Sequence, residues 1–287
     1  MGKDLTPGVL AKEARDALSD LAGRDLSGLT DAEIEEHAVA SAELLRLAEA
    51  VQVAAIARLD TSGAWAPSGA RSAAHYVGWK GRLPLPRAKA LQRCARRLRH
   101  LPATAEAFAA GRLTVEHVRL LAHAQSKAPE AFAADEARLV TLAGSLLFSR
   151  FETVIRYWIC RHDPDGAEAD AATQHAQRRV DCSATFEGTV VIDALLDPLT
   201  GAIVARELAR LGHTACAADL ARTPTQRRAD ALRLMAERSA AKPPDATEAR
   251  VLLQVLAGHE SVERLCELSN GTVLTPGQLL PVLHLAD

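Results

Sequence analysis

The sequence predicts a mainly α protein with a smaller α+β part. An all-helical N-terminal domain is expected over 1–165. A small domain with about three strands and two to three helices is expected over 166–287. Three observations predict this. Apolar residues recur at helical spacing through the front of the chain, broken by Gly and Pro where helices should end. Aromatic residues are 3% of the chain against 48% hydrophobic, so Ala, Leu and Val must fill the core. Small side chains let helix backbones approach closely. In the rear part β-branched runs appear, RRVDCSATF and TVVIDALLD, which read as strands.

The elements follow in order. Residues 1–28 suit a short helix and a loop. Thr30 and Glu33 then form a capping box, TDAE, which satisfies the orphan amides of a helix start. Ile34, Ser41, Leu45, Ala48, Ala55 and Leu59 recur behind it, and no Gly or Pro intervenes before Gly63. A spine helix over about 31–60 would be roughly 45 Å long. A loop through Gly63, Pro67 and Gly69 leads to a short helix with Tyr76 and Trp79. Pro86 opens a helix to 99, with Leu91, Ala95 and Leu98 turned inward. A helix at 103–110 should stop at Gly111 in a left-handed cap. Thr114 starts the next helix, and two more cover 129–144 and 149–162. Residues 163–177 read as a connector that becomes helical after Gly166. Two strands joined by a tight turn at Glu187-Gly188 come next. Asp197-Pro198 opens a helix ending at Gly212, and Thr223 with Gln226 caps another to about 239. A third strand is expected at 249–256, and a short final helix after Thr275.

Charge is unevenly placed. The net charge is −2, but residues 1–60 hold six Lys/Arg and twelve Asp/Glu. Residues 61–105 contain no acid. They carry nine cations: Arg71, Lys80, Arg82, Arg87, Lys89, Arg93, Arg96, Arg97 and Arg99. The five cysteines are widely spaced with no CxxC pair, which suits reduced thiols. The N-terminus lacks the apolar core of a signal peptide, and no apolar run approaches bilayer length. A cytoplasmic protein with no membrane partner is the expectation.

Chemistry-bearing motifs are sparse. His117 and His123 are six apart, so they do not share a helix face as i,i+4 ligands would, and Cys160 and His162 point different ways. No metal site and no cofactor is expected. GxSxG, GxGxxG and GxxxxGK[ST] are absent. A site assembled from scattered residues would draw on Asp60, Arg71, His75, Trp79 and Arg96.

Several long segments carry a resemblance. They are ARLDTSGAWAPSGARSAAHYVGWK at 57–80, LPATAEAFAAGRLTVEHVRLLA at 101–122 and DPDGAEADAATQHAQRRVD at 163–181. GTVVIDALLDPLTGAIVARELARL at 188–211, RTPTQRRADALRLMAERS at 222–239 and LCELSNGTVLTPGQLLPVL at 265–283 continue it. From about residue 30 onward the chain resembles the bacterial domain-of-unknown-function 222 family, also called the 13E12 repeat family. The resemblance implies the front part of an HNH-endonuclease-type protein, whose nuclease module would follow this tail. That module binds a divalent ion through histidines. After residue 260 this sequence has a single histidine, His284, so no catalytic residue carries over. A natural short member, a frameshift remnant and a fragment of a longer product all fit.

Nucleic-acid binding has the strongest physical case, because an acid-free cationic stretch can neutralise phosphates and release counterions. The candidate contacts to double-stranded DNA are Arg71, Lys80, Arg82, Lys89, Arg93, Arg96, Arg97 and Arg99. Trp65, Tyr76 and Trp79 lie nearby and could stack on bases, although core anchoring is the plainer role for them. The alternative is a helical interaction or scaffold module, self-associating or binding another protein. In that case Arg93, Arg96 and Arg97 would pair with Glu35, Glu36, Glu43 or Glu49 of the acidic helix.

Overall fold

In the computed structural model, residues 6–187, 189–213, 221–240, 255–257, 266–268, 273–274 and 277 are described. The protein is mainly helical, with a small antiparallel β part. Two compact units make up the chain. The first comprises 1–96 with 105–114, and the second 97–104 with 115–287.

The first unit begins with α1 (Pro7–Ala22), followed by the spine helix α2 (Asp31–Ser62). The Thr30 hydroxyl accepts from Glu33 N–H, and Glu33 accepts from Thr30 N–H at 2.8 Å, so both halves of the predicted box form. Gly63 ends α2 at φ 68°, a left-handed conformation that glycine adopts without steric cost. Ala50, Val53 and Ile56 place one face of α2 in the core. The N-terminal half differs: Ile34, Val39, Leu44 and Leu45 stay exposed, as do Leu47 and Val51 just past the midpoint. A 3-10 turn (Ala66–Ser68) leads to α3 (Ala73–Lys80), which Ser72 caps by accepting from His75 N–H. Then comes α4 (Leu85–Leu98). After α5 (Pro102–Ala109), Gly111 sits at φ 69°. A Cβ there would meet Leu47 Cδ2 at 2.8 Å, and Arg46 Nε donates to the Gly111 carbonyl at 2.7 Å. The left-handed glycine predicted at this stop is therefore also a point of close approach to α2.

The second unit centres on α6 (Val115–Lys127), α7 (Pro129–Ser145) and α8 (Phe148–His162). Val118, Leu121, Phe132, Leu139, Phe151 and Ile155 are all buried among them. Each such side chain contributes about 1.5–3 kcal/mol of hydrophobic stabilisation. Glu136 is buried as well. It accepts from Thr104 N–H at 2.9 Å and from the Thr104 hydroxyl at 2.8 Å, so a carboxylate of α7 serves the first turn of α5. Trp158 packs edge-on against Phe132, and its Nε1 donates to Asp135 at 2.7 Å.

The expected connector is a helix almost throughout. α9 (Pro164–Ala176) starts at Pro164, two residues before the predicted point. Asp163 caps it by accepting from Gly166 N–H, and Ala167 and Ala171 pack inward. The strands β1 (Arg179–Ala184) and β2 (Val190–Leu195) then pair antiparallel, Arg179 opposite Leu195 and Ala184 opposite Val190. Asp197 caps α10 (Pro198–Leu211) by accepting from Leu199 and Thr200 N–H. Thr223 and Gln226 form the predicted box of α11 (Pro224–Ala240).

Of the expected third strand, Val255 and Leu256 belong to β3 (Val255–Ala257), and its earlier residues lie outside the described residues. β3 pairs with β4 (Cys266–Leu268), and β4 with β5 (Val273–Leu274), two strands the sequence did not suggest. The expected final helix lies outside the described residues except for Gly277. Among the described residues no helix is long and apolar enough to cross a membrane.

Candidate nucleic-acid interface

The basic block folds mainly as α4. Its inner positions are Ala88, Leu91, Cys94 and Ala95, all buried. They leave Lys89, Arg93 and Arg96 as a stripe at i, i+4 and i+7 on the outer face. The helix therefore forms for apolar reasons and displays its cations as a consequence.

Two of its arginines are engaged with α2. Arg87 pairs with Glu49. Arg96 grips Asp60 with a two-pronged contact, Nε to Oδ2 at 2.8 Å and Nη2 to Oδ1 at 2.9 Å. Gln92 adds a third hydrogen bond to Asp60 Oδ1 at 2.7 Å. The Asp60 side chain is only 8% exposed, so it depends on these donors. The hydrogen bonds from Arg96 to Asp60 raise the pKa of Arg96. Glu35 and Glu36 hold no cation among the described residues, and Glu43 lies 3.9 Å from Arg46. The acidic helix thus neutralises α4 at two points, Glu49 and Asp60.

The other candidates divide sharply. Lys89 and Arg93 are exposed and have no ion pair among the described residues. Arg71 and Arg82 are exposed, and Arg82 takes a positive φ of 53° in the turn before α4. Lys80 lies over the Trp79 ring with Nζ 4.0 Å from its centroid. Trp79 itself is 62% exposed, so core anchoring does not describe it; Trp65 and Tyr76 are half-buried. Arg99 is exposed beyond the end of α4. Arg97, the next residue after Arg96, is half-buried and lines a separate cleft with residues of α6.

Three of the scattered residues Asp60, Arg71, His75, Trp79 and Arg96 are held by polar contacts within the first unit. Asp60 and Arg96 bind each other, and His75 Nδ1 lies 2.9 Å from the Ser72 hydroxyl within the α3 cap. Among the described residues no group of three or more His, Cys, Asp or Glu could hold a metal. His117 packs against Phe148 and Phe151. Burial, with a smaller contribution from Glu168, pushes the Cys160 thiol up, away from the reactive thiolate.

The model of the family described as Domain of unknown function (DUF222) matches residues 34–285. The chain belongs to this family. The matched region takes in most of the spine helix, the basic helix, the β1–β2 hairpin and the strands β3 to β5. No curated protein and no solved structure matches the chain.

Proposed function

We propose that the chain is a DNA-associated module that grips the backbone of a duplex with the outer face of α4 and performs no chemistry of its own. One observation carries the reading: Lys89 and Arg93 stand at i,i+4 on an acid-free segment, unpaired among the described residues, while the chain neutralises Arg87 and Arg96 nearby. Exposed cations on a rigid helix suit a regular row of phosphates. Trp79, exposed on α3 with Lys80 over its ring, adds a flat surface of the kind bases stack on. The resemblance to HNH-endonuclease-type proteins gives the module a purpose, which is to hold a duplex for a nuclease. The free thiols Cys94, Cys160 and Cys182 suit a reducing compartment, and we place the chain in the cytoplasm.

Fluorescence anisotropy with a labelled duplex at low salt tests this. Lys89→Ala/Arg93→Ala should weaken binding by a similar factor on unrelated sequences, because phosphate contacts carry no base information. Absence of binding by the wild-type chain, or an unchanged affinity in the variant, would remove the reading.

A second reading, a self-associating scaffold, is favoured by the apolar groove of about 280 Å³ in the first unit. Leu18 and Leu21 of α1 and Leu44, Leu45 and Ala48 of α2 line it. Leu44→Glu/Leu45→Glu should convert an oligomer to a monomer in sedimentation equilibrium. A wild-type chain that is monomeric at every concentration tested excludes this reading.

A further inference from the structure

The second unit contains a cleft of about 400 Å³ with a cationic and polar lining. Arg97 comes from the last turn of α4, His100 from the turn that follows, and Arg119, His123, Gln125 and Ser126 from α6. No carboxylate lines it. Arg119 and His123 are i,i+4 on α6, so they share a face. Among the described residues, the side chains of Arg97, His100, Arg119 and His123 have neither a hydrogen bond nor an ion pair.

That arrangement departs from how the chain treats its other cations near acids. Arg87 rests on Glu49, Arg96 on Asp60, Lys127 on Asp170 at 2.6 Å, and Arg178 on Asp197 at 3.3 Å. Two guanidinium groups gathered in one concavity repel one another unless an anion sits between them, and the two imidazoles add hydrogen-bonding nitrogens beside them. Their donors come from three places in the chain, which suits an oxyanion with oxygens pointing several ways better than a planar carboxylate. Arginine forks also match phosphate in two-point hydrogen bonding. The volume is well beyond that of a bare phosphate and falls within the range of small-molecule sites.

We propose that this cleft binds the terminal phosphate of a phosphomonoester of nucleotide size, with Arg97 and Arg119 holding the dianion and His100, His123 and Ser126 completing its shell. Burial, followed by the charge of Lys127 and then of Arg119 and Arg97, lowers the His123 pKa against the opposing pull of Asp170. A bound dianion reverses that balance and favours the imidazolium, which adds a charged donor. Lys89 and Arg93 take no part, so the cleft is independent of the duplex-binding reading.

Calorimetric titration of the full chain with inorganic phosphate and with adenosine monophosphate tests the proposal. Saturable binding of the nucleotide, one per chain, is expected, with phosphate as a weaker competitor. Arg97→Gln/Arg119→Gln should weaken it by about tenfold or more, and Arg138→Gln, on the exposed face of α7, should leave it unchanged. If the double variant misfolds, His123→Gln and the shift of the wild-type His123 ring proton on saturation report the same contact. Oligonucleotides with and without a 5′-phosphate separate the sources. Competition by the phosphorylated strand alone assigns the site to strand ends; competition by neither assigns it to a free nucleotide. Both results support the proposal. Absence of saturable nucleotide binding overturns it. So does equal competition by the two strands that is lost in the double variant, because the cleft would then be reading internal backbone.

Discussion

Glu136 and Asp197 show how single carboxylates organise this chain. Glu136 is buried on α7 and accepts both the N–H and the hydroxyl of Thr104. Glu136→Ala strands these buried donors without their acceptor. A loss of about 2–3 kcal/mol in urea unfolding is expected, with Glu136→Gln recovering part of it through its amide oxygen. Asp197 is pulled two ways. Burial pushes its carboxyl up, but the Thr200 N–H and hydroxyl and the Arg178 guanidinium outweigh it, and its pKa ends lowered. A lowered folded value means the stabilising contribution is complete above the ordinary carboxylate range of about 4 and disappears as pH falls through the folded value. Asp197→Asn should therefore flatten the acid limb of the stability profile measured by denaturant titration across pH. An unchanged acid limb would show that the cap contributes no proton-linked stability. Asp197 was legible as a cap from Asp-Pro alone. Glu136 was not, because nothing in the local sequence of a helix shows that its carboxylate serves another helix.

At the scale of elements, legibility tracked whether the signal was local. Thr30 with Glu33, Gly63, Gly111 and Thr223 with Gln226 each bound a helix where the sequence placed them, because a cap or a left-handed glycine is decided by neighbours in the chain. α9 was misread at its start. Asp-Pro-Asp-Gly resembles a loop, yet Asp163 uses Pro164 as its first helical residue and holds Gly166 N–H. β4 and β5 were invisible because strands of three and two residues are too short to show a period. The basic helix was legible as a helix, but its pairing was not: Asp60 rather than Glu35, Glu36, Glu43 or Glu49 meets Arg96, and Glu49 takes Arg87 instead. This divides α4 into structural and free cations. Arg96→Ala should cost stability, about 1 kcal/mol since the arginine is largely exposed, as read by thermal unfolding. Lys89→Ala and Arg93→Ala should leave the melting temperature in place. Equal destabilisation by all three would mean that the outer stripe is part of the packing.

Across the whole molecule the dominant feature is the charge step between residues 1–60 and 61–105. The sequence presents it as a choice between internal neutralisation and an outward-facing basic surface. The structure contains both, with Arg87 and Arg96 neutralised by α2 and Lys89 and Arg93 left outward. The cleft of the second unit escaped sequence reading for a related reason. Arg97, His100, Arg119 and His123 are spread over three segments with no motif to join them. Family membership extends over most of the chain and supplies no activity, so the functional account rests on surface chemistry.

The most direct test of that account is the salt dependence of duplex binding, measured as affinity against salt concentration for the wild-type chain and for Lys89→Ala/Arg93→Ala. If α4 holds phosphates through these two side chains, the wild-type affinity falls steeply with salt, and the logarithmic slope of the variant is shallower by about 2. Equal slopes, or affinity that does not respond to salt, would contradict the claim that this face of the helix contacts DNA.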